Sequence, residues 1–119
     1  MKAAALVLMV LTLTQQVIAS SVFTGDEKKN CGTQTVGEML HSGWQFVKRD
    51  FIAKIDRTGN TVTLEDRSRY RADMTVGIFE GDEALLFRKH VQTKKISGYI
   101  YNLCAGGFDA WVTPLNERY

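Results

Sequence analysis

The chain has 119 residues, 24% of them charged and 45% hydrophobic, with a formal net charge of +2. That length holds one small domain with a modest core. A balance so near neutral gives no global reason to expect nucleic acid or an anionic membrane as partner, so any such contact needs a local patch.

Residues 1–19 read as a processing segment: Lys2 supplies a short positive start, residues 3–13 an apolar run, and residues 14–19 a more polar tail. The run is too short for a bilayer, which takes ~20 apolar residues. Val17 and Ala19 are the small residues an export peptidase needs, which puts the cut before Ser20. The chain is therefore expected to be periplasmic or secreted, without a membrane span once processed; a leader retained as an anchor is the alternative. Of 15 Lys and Arg, removal of Lys2 leaves fourteen against 13 acidic residues. Cys31 and Cys104 are the only cysteines, and in an oxidising compartment such a pair reads as a disulfide. No C-x-x-C occurs and neither His41 nor His90 stands at a familiar ligand spacing from a thiol, so no metal or cofactor is expected.

Residues 20–34 are polar and read as an exposed N-terminal arm that Cys31 pins to the body, and residues 35–119 as a single small β-rich domain. A short helix opens that domain. Thr35 and Glu38 form a T-x-x-E capping box, Val36, Met39 and Leu40 share one face, and Gly43 suits a left-handed stop. A helix so short cannot persist alone, so its apolar face must dock on a sheet.

Residues 44–78 look like the frame. Trp44 and Phe46 share one strand parity, whereas Phe51, Ala53 and Ile55 share the other, which calls for a bulge near residues 48–50 to keep one inward face. Residues 56–60 are a hairpin turn. Val62 and Leu64, then Tyr70, Ala72, Met74, Val76 and Ile78, alternate inward, with a reversal at residues 66–68. Residues 83–91 are expected as a strand, with a short helix capped by Asp82 as the alternative. Residues 96–104 carry apolar side chains on both faces, so that strand should be central or lie beneath the helix. Residues 105–107 turn the chain, and a last strand from Phe108 ends at Pro114, the only proline. The fold class is mainly β with one short N-terminal helix: a small curled antiparallel sheet, or a barrel of the SH3-like or OB-like kind.

Three groups of residues could carry function. Arg67, Arg69 and Arg71 are spaced by two, so on a strand they leave one face and could take up sulfate, phosphate or carboxylate groups. The plainer alternative is a soluble strand face neutralised by Glu65, Asp66 and Asp73. Phe108 and Trp111 have opposite strand parity, so one of them should face outward as a contact anchor unless both rings fill the core. His41 and His90 could supply acid and base to a small secreted hydrolase such as a ribonuclease, yet no catalytic motif accompanies them. The reading favoured is a non-enzymatic binding protein, such as an inhibitor, immunity or envelope accessory protein. Its partner would be another protein or an anionic envelope component. Nucleic acid is not expected, because Tyr70 points away from the arginines. A structural subunit of an envelope assembly is the remaining alternative.

Overall fold

In the computed structural model, which describes residues 25–115, Thr35 caps helix α1 (Val36–His41) with both halves of the capping box made. The Thr35 hydroxyl accepts from the Glu38 amide at 3.2 Å, and the Glu38 carboxylate accepts from the Thr35 amide at 2.8 Å. The processing segment, the start of the arm and the end of the tail lie outside the described residues.

Eight strands accompany the helix among the described residues: β1 (Asn30–Cys31), β2 (Gln34–Thr35), β3 (Gln45–Asp56), β4 (Thr61–Leu64), β5 (Arg69–Ala72), β6 (Glu83–Gln92), β7 (Ser97–Ala105) and β8 (Phe108–Pro114). The first two pair only with each other. The other six close into an antiparallel barrel of order β3-β4-β5-β8-β7-β6. It is two three-stranded meanders, β3-β4-β5 and β6-β7-β8, sealed by β3 against β6 and β5 against β8. Of the expected forms the barrel is the one adopted, and the 83–91 segment is strand.

Two clusters hold it together. Inside the barrel, Ile52, Val62, Leu64, Ile78, Leu86 and Leu103 are almost wholly buried, with Tyr70 among them. On the outer side of β6 and β7, Leu85, Phe87 and Cys104 are covered by Val36 and Met39 of α1, by Trp44 and by Cys31. The Cys31–Cys104 disulfide, Cα to Cα 5.2 Å, ties β1 to β7 within that second layer. Gly32 continues the tie: its backbone has φ +67°, and a Cβ there would fall on the Asp109 carboxylate. Only glycine fits.

The strand parity differs from expectation in two places. β3 carries two bulges, at Val47 and at Ala53, not one near residues 48–50. The bulge at Ala53 lets Ile52 and Ile55, three residues apart, both face the core, and it leaves Phe51 outside. The alternation after Ala72 also fails, because β5 ends there. Asp73 turns away by exchanging bonds with the Trp111 backbone, at 2.9 and 3.1 Å, and Arg57 clamps the loop through the carbonyls of Thr75 and Ile78. Met74 and Val76 are consequently exposed, and only Ile78 returns to plug the barrel end.

Within the described part of the arm, residues 27–30 are exposed but Asp26 is 5% exposed. It belongs to a closed ring of ion pairs in which Lys29 and Arg49 each bridge Asp26 and Glu83. Lys29 and Arg49 hold the Glu83 carboxyl below its usual range. Burial pushes Asp26 the other way, yet Arg49 and Lys29 outweigh it and Asp26 is also lowered. A carboxyl whose pKa falls on folding adds stability that is present above its ordinary value and lost as pH falls through the folded value. The melting temperature should therefore drop as pH falls from 7 through 4 toward 2. Arg49 is about a third exposed, so Arg49→Gln should cost about 1–2 kcal/mol at pH 7, between the cost of losing a surface pair and a buried one. It should also flatten the acid dependence; calorimetry across that range checks both.

Candidate functional site

The site is built by a ladder that stops. β8 pairs with β7 from Ala105↔Phe108 to Tyr101↔Val112, and no further. Pro114 has no amide hydrogen to offer a neighbouring strand, and from Val112 on β8 is paired with β5 through Ala72↔Val112 and Tyr70↔Pro114. β7 meanwhile continues with β6 alone, through Lys89↔Ile100 to Gln92↔Ser97. The split opens a groove of about 400 Å³, lined by Arg71 and Asp73 on one side, Tyr99, Ile100 and Tyr101 on the other, and Trp111, Thr113 and Pro114 between them.

Trp111 is 50% exposed, and its ring packs against Trp44 with centroids 5.7 Å apart at 52°. Lys89 lies over the other tryptophan, its ammonium 5.9 Å from the Trp44 ring. Across the hairpin, the Arg88 guanidinium covers Tyr99 at 4.3 Å while Nε donates to the Gln45 side chain at 3.3 Å. Cations over rings of this kind contribute about 0.5–1 kcal/mol each at exposed sites and hold the rings in place. The groove thus offers one broad indole, a tyrosine edge and the Arg71 guanidinium. Aromatic faces take sugar rings or apolar side chains, and a planar guanidinium takes a carboxylate, sulfate or phosphate in two-point contact.

The sequence-predicted residues divide. Arg69 and Arg71 leave the outer face of β5 together, but Arg67 does not join them. It stands in the β4–β5 turn at φ +75°, its amide donating to the Leu64 carbonyl at 2.9 Å. Nor do acids neutralise the row: among the described residues none of the three arginines forms an ion pair, Asp66 being taken by Lys48 and Asp73 by the Trp111 amide. Phe108 and Trp111 do not fill the core; Phe108 is 52% exposed at the barrel rim, packed over Gly77. Its ring lies 2.7 Å from where a Cβ of Gly77 would stand, at φ +84°. Arg71 and Trp111 meet in the groove, whereas Phe108 lies apart from it. Tyr99 and Arg88 escape a reading of the sequence as site residues, since only the β6–β7 register brings them there. The Tyr99–Tyr101 parity, which puts both on one face, is the signal that could have found them.

His41 ends α1, and His90 lies on β6 with its ring edge-on to Tyr99 at 5.3 Å. Among the described residues no hydrogen bond, ion pair or ring contact joins them. Glu80 and Asp82 are occupied with backbone amides, of Ile55 at 3.1 Å and Phe79 at 3.0 Å. One serine does sit beside a lysine: Lys48 Nζ donates to Ser68 Oγ at 2.9 Å. Burial would push that ammonium down, but Asp66 and Tyr70 hold it above its usual value. Lys48 and Ser68 in turn hold Asp66, despite its own burial, at about 2. The Ser68 hydroxyl donates to the same Asp66 carboxylate that pairs with Lys48, so its hydrogen is directed to Asp66 and away from the lysine nitrogen. Among the described residues no group of three or more His, Cys, Asp or Glu could hold a metal ion. Compared with known proteins, the chain matches no family model, no curated protein and no solved structure.

Proposed function

We propose that this is an exported, non-enzymatic binding protein that holds an anionic segment of another macromolecule in the groove between β7 and β8. The observation that carries the reading is the meeting of Arg71, unpaired with any acid among the described residues, and half-exposed Trp111 in one groove. Tryptophan and arginine are among the residue types enriched at the anchoring points of interfaces. Export is the reading of residues 1–19, and the disulfide fits an oxidising compartment such as the periplasm or the exterior. An inhibitor, immunity or envelope accessory role would each rest on such a contact.

Capture from envelope extracts tests it. Trp111→Ala and Arg71→Gln should each reduce the retained macromolecule at least tenfold, a cost of about 1.4 kcal/mol or more, as expected of an anchoring residue. Arg71 is exposed, so Arg71→Gln should leave the melting temperature within about 2 °C, as for other surface substitutions. Arg67→Gln, in the turn, should retain as much as the native protein. Equal retention by all three variants would overturn the groove.

A further inference from the structure

We infer that the ligand of the groove is an acidic polysaccharide which continues from it along the free β6–β7 hairpin; this rests on the groove being the binding site. The last residues of that hairpin held by the barrel are Arg88, paired with Gln45, and Tyr101, paired with Val112. Beyond them β6 and β7 pair only with each other as far as Gln92↔Ser97, where Thr93 closes the turn by donating to the Ile96 carbonyl at 2.7 Å. At ~3.3 Å per residue the arm projects about 13 Å past the barrel.

The arm has one sign of charge. From Ala84 to Phe108 the chain contains no Asp or Glu, yet it carries Arg88, Lys89, Lys94 and Lys95. Lys94 and Lys95 are exposed at the tip, and none of the four forms an ion pair among the described residues. Consecutive on β6, Arg88 and Lys89 leave opposite faces of the hairpin, Arg88 over Tyr99 and Lys89 over Trp44, so with Arg71 at the groove a row of unmatched cations flanks the arm as far as Lys94 and Lys95 at its tip. Such a row suits a chain of repeating anions rather than a single one.

The rings decide which kind. Sequence-tolerant binding of single-stranded nucleic acid stacks successive bases on successive aromatic faces. Here Tyr99 is already covered by Arg88 and edged by His90, so Trp111 is the one broad platform the groove offers. One stacked ring flanked by anion contacts fits a sugar chain bearing sulfate, phosphate or carboxylate groups. It does not fit a run of stacked bases.

The test uses the disulfide-bonded chain with a heparin dodecasaccharide, an oligothymidylate of matched charge and polyglutamate as probes, titrated at several salt concentrations. Heparin should bind at least tenfold tighter than either of the others. Lys94→Gln/Lys95→Gln should weaken heparin at least tenfold at low salt. The same variant should reduce the slope of log Kd against log salt by about 1.4, since each lysine that neutralises an anion on a single-stranded chain accounts for ~0.7. Its melting should match that of the native protein, because both lysines are exposed. Equal or tighter binding of oligothymidylate or polyglutamate would overturn the glycan assignment. An unchanged heparin affinity in the lysine variant would overturn the arm. In either case the groove keeps its own test, the loss of envelope capture in Arg71→Gln and Trp111→Ala, so the two failures are distinguishable.

Discussion

Replacing Cys31 and Cys104 together by alanine is expected to lower the unfolding free energy by about 4 kcal/mol. The bridge closes a loop of 73 residues, and the chain-entropy relation gives about 4 kcal/mol for a loop of that size. For a domain of this length each kcal/mol shifts the melting temperature by about 4–8 °C, so the fall should reach about 15–30 °C. Both cysteines are buried, at 1% and 4% exposure, so the truncation also leaves a small void in the outer cluster. Reducing the native protein should cost less than the double substitution, for a reason visible at Asn102. That side chain is 3% exposed, with its Oδ1 3.6 Å from one sulfur and 3.7 Å from the other. A disulfide has no hydrogen to give this oxygen, whereas two thiols do, if weakly. The expected order of melting temperatures is therefore oxidised, then reduced, then double alanine. A drop of less than about 5 °C on going from oxidised to double alanine would refute the staple as the main tie between β1 and the barrel.

The residues that declared themselves in the sequence did so through local chemistry. Thr35 and Glu38 cap α1 by bonds three residues apart, and Asp66 shapes the turn before Ser68 through its own carboxylate, which accepts the Ser68 amide at 2.9 Å. Strand parity was legible where a strand is regular, at Val62, Leu64, Tyr70 and Ala72. It failed at Phe51 and Ala53, because a bulge is set by the partner strand and not by the pattern of the bulged one. Met74 and Val76 continued the alternation on paper, but Asp73 and Arg57 draw the chain out of the sheet by bonds to residues far along the sequence. The site followed the same rule. Arg71 and Trp111 are each legible as candidates, yet their meeting depends on β5 pairing with β8, and the groove itself on Pro114 ending a ladder with β7. Both are long-range facts of register.

Phe87→Ala should be comparably damaging, costing about 3–5 kcal/mol. Phe87 is wholly buried, and truncating such a ring forfeits its transfer free energy and opens a cavity. Its neighbours Leu85 and Leu86 point in opposite directions, one beneath α1 and one into the barrel, so β6 belongs to both clusters at once. Phe87 faces α1, with the Phe46 ring edge-on at 5.8 Å. The damage should therefore begin on the helix side. Amides that close the end of α1, Ser42 onto Glu38 and Trp44 onto Met39, should lose hydrogen-exchange protection earlier than Leu103 inside the barrel. Phe87→Leu, which keeps most of the volume, should cost less than about 1.5 kcal/mol and preserve that protection. Equal loss of protection at Ser42, Trp44 and Leu103 in Phe87→Ala would mean that helix and barrel unfold as one unit. An unfolding cost below about 1 kcal/mol would mean that the outer cluster contributes little, leaving α1 held by the disulfide alone.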